Sequence, residues 1–75
     1  MKTFMHGCRV IVSQPDDEDV ELKGKCGVVR RLLKRDQSAW IEMESEIPEV
    51  LRRFPKGNPR ENHVLLWPDE CEVAP

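Results

Sequence analysis

Two glycines three residues apart, Gly24 and Gly27, lead into the β-branched pair Val28 and Val29 and then into Arg30 and Arg31. That spacing predicts a tight turn delivering the backbone into a sheet, because glycine supplies a positive φ or a close backbone approach that a Cβ would block. The strand is expected over roughly Lys25 to Leu33. Side chains alternate along a strand, which puts Cys26, Val28 and Arg30 on one face and Gly27, Val29 and Arg31 on the other.

The neighbouring segments extend this strand into an all-β meander. Cys8 to Ser13 is apolar and β-branched, opened by Gly7 and closed by Gln14 and Pro15. Asp16 to Glu21 has no apolar partner set and is expected as a solvated acidic loop, without the ligand alternation or turn glycine of a calcium loop. A polar hairpin turn, Lys34 to Gln37, leads to Ser38 to Ser45, the clearest period-two pattern. There Ala39, Ile41 and Met43 share one face while Trp40, Glu42 and Glu44 share the other. Sliding by one residue would bury carboxylates, so the pattern fixes the register. Glu42 and Glu44 are placed to meet basic residues of the preceding strand.

Residues 47–62 form a charged insert. Pro48 to Phe54 is either a short helix with Pro48 at its first position or an extended loop, and Pro55 to Pro59 is irregular. His63 to Trp67 is expected as a fourth strand and Cys71 to Val73 as a fifth. Pro68, Asp69 and Glu70 form a single helical turn between them, with Asp69 as the acceptor for a free backbone donor. The inner wall is expected to hold Val10, Val12, Val28, Ile41, Met43, Leu65 and Val73, or their immediate neighbours.

A chain of 75 residues makes one domain, 1–75 with its core over about 6–74, and the size leaves a thin core with no room for an elaborate cleft. The longest apolar runs, Val10 to Val12 and Val64 to Trp67, are too short to span a bilayer, and Met1 to Cys8 lacks the apolar region of a secretory signal. Cys8, Cys26 and Cys71 are odd in number and widely spaced, which points to free thiols in a cytoplasmic protein rather than a disulfide framework. Zinc ligands normally come in pairs two to four residues apart, so the thiols are expected to pack as small hydrophobes, with no metal or other cofactor. His6 and His63 have no nucleophile arranged beside them. No enzymatic activity and no small-molecule substrate are expected.

The element order, with Gly7 at the first strand, the entry Gly24-x-x-Gly27-Val28-Val29 and a last strand reached through Pro68-Asp69-Glu70, resembles a five-stranded SH3-like small barrel. Its first loop is long and acidic, and a charged insert precedes the fourth strand. Lys23 to Val29 is similar to the KOW motif of ribosomal and transcription-elongation proteins. Gly7 to Val12, Leu22 to Gly24, Gly27 to Val29, Arg53-Phe54 and Pro68 to Glu70 together resemble the variable chain of ferredoxin-thioredoxin reductase. The small SH3-like subunits of photosynthetic electron-transfer complexes are similar in the same places. The reductase resemblance implies a non-catalytic accessory chain braced against a partner. This chain has no matching cluster-ligand cysteines, and Cys8 replaces the acid that often follows the first glycine in these families.

Two functional readings follow. In the first, the chain is an accessory or regulatory subunit that docks on a protein, with contacts at Trp40, Arg31, Arg52, Arg53 and Phe54. An outward aromatic and bidentate arginines are common anchors of such interfaces. Trp40 is either an exposed anchor or covered by the insert that carries Phe54, and Trp67 belongs to the core or its rim. In the second, Lys23, Lys25, Arg30, Arg31, Lys34 and Arg35 track the phosphates of RNA or DNA. The net charge of −2 and the scarcity of aromatics for base stacking weigh against this second reading.

Overall fold

A computed structural model describes residues 1–75. Five strands, β1 (Arg9–Val12), β2 (Cys26–Leu32), β3 (Ala39–Met43), β4 (His63–Leu66) and β5 (Cys71–Val73), form one antiparallel sheet in the order β4-β3-β2-β1-β5. No helix is long and apolar enough to cross a membrane. Short 3₁₀ turns occupy Asp17–Leu22, Glu49–Leu51 and Pro68–Glu70. Pro48 and Pro68 open the two shorter turns, and Pro15 and Gly24 flank the longer one on either side.

The two glycines of the β2 entry act by different means. Gly24 has φ +83° with nothing near its absent side chain, and its N–H donates to the carbonyl of Val12 at 2.7 Å. Gly27 instead faces Met43 across the ladder, where an added Cβ would stand 2.7 Å from Ile41 Cγ2 and 2.8 Å from the Glu42 carbonyl oxygen. The first glycine turns the chain and the second lets β3 lie close.

The core gathers on one sheet face: Val10 and Val12 of β1, Val29 of β2, Ala39, Ile41 and Met43 of β3, Val64 and Leu66 of β4, and Cys71 of β5. Phe4, Leu22 and Ile47 cover it from the connections. Three expected wall residues are therefore replaced by neighbours. Val28 pairs with Glu42 and faces outward with it, leaving Val29 inside opposite Ile41. Val64, not Leu65, lies opposite Ile41. Val73 shares the inward parity of Val10 but sits at the sheet's end, 63 % exposed, and Cys71 fills the position beside Val12.

The acidic segment also departs from expectation. It is a 3₁₀ turn rather than an open loop, closed by the Asp19 N–H donating to the Asp16 carbonyl at 2.9 Å, and it delivers a fully buried Leu22. A single apolar residue at its end anchors it, which no periodicity in the segment could reveal. The insert contains one short 3₁₀ turn at Glu49–Leu51 and then a run of β-turns in which the N–H groups of Asn58, Glu61 and His63 donate to the carbonyls of Pro55, Asn58 and Arg60.

Candidate functional site

The regular alternation of β2 breaks at Arg30. Val29 pairs with Ile41 and Arg31 with Trp40, so Arg30 is an extra residue, a β-bulge. Arg31 therefore faces outward beside Trp40, not inward with Val29 as strict alternation implies. Arg30 Nε donates to Glu42 Oε1 at 2.8 Å, which places it on the same outer surface. Both arginines thus stand on the side of the sheet that carries Trp40 and Glu42 of β3 and His63 and Leu65 of β4, since Trp40 pairs with Leu65 and Glu42 with His63.

The insert folds back over this surface. Phe54 packs on Trp40 with ring centroids 5.6 Å apart and planes tilted by 59°, an edge-toward-face geometry favoured by aromatic quadrupoles. Trp40 is consequently half-buried: the insert covers it in part and leaves the remainder open. The pair lines a cavity of about 200 Å³ together with Arg30, Arg31, Arg60 and His63.

Of the five expected protein contacts, Arg31, Trp40 and Phe54 meet in this cavity. Arg52 and Arg53 line a neighbouring depression with Glu46, Glu49 and the other side of Phe54. Arg52 is mostly covered; its Nη2 reaches Glu46 at 3.4 Å while its Nε is buried without a partner. Arg53 also borders a third hollow formed with the acidic turn, Leu65 and Trp67, so Trp67 is at the rim. Arg60 and His63 are not among the expected contacts, and the sequence raises His63 only as a catalytic base. His63 could have been found from register, because it lies opposite Glu42 and so shares the face of Trp40; Arg60 sits in an irregular loop with no periodic signal.

The six basic residues of the nucleic-acid reading are divided. Lys23 and Lys25 sit at the turn before β2, and Arg31, Lys34 and Arg35 border a hollow at its other end with Leu32, Leu33, Trp40 and Leu65. The seven residues of β2 separate the two groups by roughly 20 Å at a strand's rise per residue. Arg30 is engaged by Glu42, and Arg35 lies 3.9 Å from Asp36.

The remaining charges hold the fold. Arg9 Nε and Nη2 donate to Glu44 at 2.6 and 2.9 Å, clamping β1 to the end of β3 and holding the Glu44 carboxyl below its ordinary range. This partner comes from β1, not from the strand preceding β3. At the hairpin, Asp36 accepts from the Ser38 hydroxyl and N–H, which keeps its carboxyl below the usual range.

Glu70, not Asp69, receives the free backbone donors: Oε2 accepts from the Trp67 N–H at 3.0 Å and Oε1 from the Asp16 N–H at 3.1 Å. The carboxylates of Asp16, Asp19 and Glu70 lie within 4.8 Å of one another. Partial burial and contact with Glu70 push Asp19 up to about 6. All three thiols are free, and burial, with Glu70 next to it, pushes Cys71 up to about 12. Such a thiol is inert at neutral pH. The thiols converge with no histidine or carboxylate into a ligand-like group of three.

No family model, curated protein or solved structure matches this chain.

Proposed function

We propose that the chain is a non-catalytic SH3-like binding module, a small accessory or regulatory subunit that docks on a partner protein in the cytoplasm. The SH3-like assignment is supported by the element order and by the placement of β1 between β2 and β5. The observation that carries the docking reading is the Trp40–Phe54 pair, half-open on the outer sheet surface and flanked by Arg31 and Arg60, whose guanidinium groups meet no acceptor. An aromatic anchor beside arginines is the usual composition of an interface hot spot.

The experiment is co-purification of the untagged chain from its native cells, with wild type and Trp40→Ala compared. A stoichiometric protein partner that Trp40→Ala releases supports the reading. A chain recovered alone, or a partner equally retained by the variant, overturns it. The rival reading, RNA or DNA bound through the basic hairpin at Arg31, Lys34 and Arg35, has the neighbouring Trp40 in its favour. A salt titration separates the two, because phosphate binding weakens log-linearly and steeply with salt.

A further inference from the structure

The cavity lined by Trp40 and Phe54 carries charge that its surroundings leave unbalanced. Arg30 is neutralised by Glu42. Arg31 and Arg60 line the same space of about 200 Å³, yet neither guanidinium forms an ion pair or a hydrogen bond; the Asn58 Oδ1 contact of Arg60 is made by its backbone N–H. His63, on the same wall, has its Nδ1 buried without a partner. Unpaired guanidinium groups sharing a small space repel each other, and a buried polar atom without a partner is costly. One oxyanion between Arg31 and Arg60 would relieve the repulsion.

We infer that this cavity receives a carboxylate from an acidic segment of the docking protein, gripped by Arg31 and Arg60, with an adjoining apolar residue laid on the open edge of the Trp40–Phe54 pair. Guanidinium forks match a carboxylate in bidentate geometry. The space is sized for one side chain, whereas a nucleic-acid strand needs a track of cations. The hollow beyond Arg31 and Trp40 adds Lys34 and Arg35, but Arg35 lies 3.9 Å from Asp36 and Glu42 occupies Arg30. Lys23 and Lys25 lie at the far end of β2, which leaves Lys34 alone to extend the line. The inference rests on the docking reading and specifies the chemistry of its partner.

The test is an NMR titration of the full chain with three probes: a blocked pentapeptide of four glutamates around a central phenylalanine, the same peptide with glutamines, and pentauridylate. The acidic peptide is expected to shift the Trp40 indole N–H and the amides of Arg31, Arg60 and His63, and to bind at least tenfold more tightly than the glutamine peptide. Arg31→Gln combined with Arg60→Gln should remove that advantage, while Lys23→Gln combined with Lys25→Gln, before β2 and away from the cavity, should retain it. Both arginines of the double variant are exposed and unpaired, so an unchanged thermal midpoint will show that the fold is intact. Equal affinity for the two peptides, tighter binding of pentauridylate, or shifts confined to other surfaces overturns the assignment. The two readings fail separately. If Trp40→Ala releases the native partner but the acidic peptide has no advantage, docking stands and the carboxylate assignment falls. If the acidic peptide binds here while Trp40→Ala retains the partner, the anion site stands and docking falls.

Discussion

Replacing each glycine of the β2 entry by alanine and by asparagine should give opposite patterns of damage. At Gly27 the new Cβ would stand 2.7 Å from Ile41 Cγ2, 2.8 Å from the Glu42 carbonyl oxygen and 3.0 Å from Met43 Sδ. The sulfur can swing aside, but Cγ2 is fixed by the χ1 of a fully buried β-branched residue, and the carbonyl belongs to the β3 ladder and moves only with the strand. Overpacking of this kind costs about 1–3 kcal/mol, and a fixed backbone oxygen puts Gly27→Ala at the upper end, less about 0.4–1 kcal/mol recovered from a stiffer unfolded chain. A net loss of about 2 kcal/mol lowers the melting midpoint of so small a domain by about 8–16 °C.

At Gly24 there is open space but φ is +83°. Alanine in left-handed backbone costs about 1–2 kcal/mol, and asparagine tolerates that region far better. Gly24→Asn should therefore recover most of what Gly24→Ala loses, whereas Gly27→Asn should be worse than Gly27→Ala. Differential scanning calorimetry of the four variants decides the matter. A Gly27→Ala midpoint within about 2 °C of wild type, or an asparagine rescue at position 27, would refute the close-approach argument.

Other perturbations follow from features of the connections and the face. Gln37 closes the β2–β3 hairpin at φ +62°, so Gln37→Gly should raise stability by about 1 kcal/mol in urea unfolding, provided the turn is retained. Asp19 has its folded pKa raised from 3.8 to about 6, so its stabilising contribution is complete below about pH 4 and is lost as pH rises through 6. Asp19→Asn should make the protein more stable at pH 7, by about 1 kcal/mol after allowance for solvent screening, and should flatten the midpoint's pH dependence between about 4 and 6. Phe54→Ala should uncover Trp40 and red-shift its fluorescence with little loss of midpoint; an unshifted spectrum in a Trp67→Phe background would contradict the pairing.

Element type was legible wherever one chemical signal dominated. The alternation of Ala39 to Met43 fixes β3 and its inward face, and Cys71–Val73 and the Pro68–Glu70 turn fall where sequence places them. Facing was less legible in short apolar runs such as His63 to Leu66, where Val64, Leu65 and Leu66 offer no contrast and only pairing with β3 decides. The same limit hid Leu22, a single apolar residue after five acidic or exposed positions, and made Asp69 and Glu70 equivalent candidates for one backbone donor. At the candidate site, Trp40 and the arginines were visible by type. Their gathering was not, because it depends on a bulge and on the path of an irregular insert, both set by tertiary packing rather than by periodicity.

The bulge at Arg30 bears on how this gene can vary in length. Because Val29 and Arg31 already oppose consecutive residues of β3, loss of the codon for Arg30 would leave a continuous ladder with every inward side chain still inward. Loss of one codon anywhere between Ala39 and Met43 would exchange wet and dry faces downstream of the lesion. Natural length variation in the paired strands should therefore collect at this one site, at the expense of the Glu42 contact and little else.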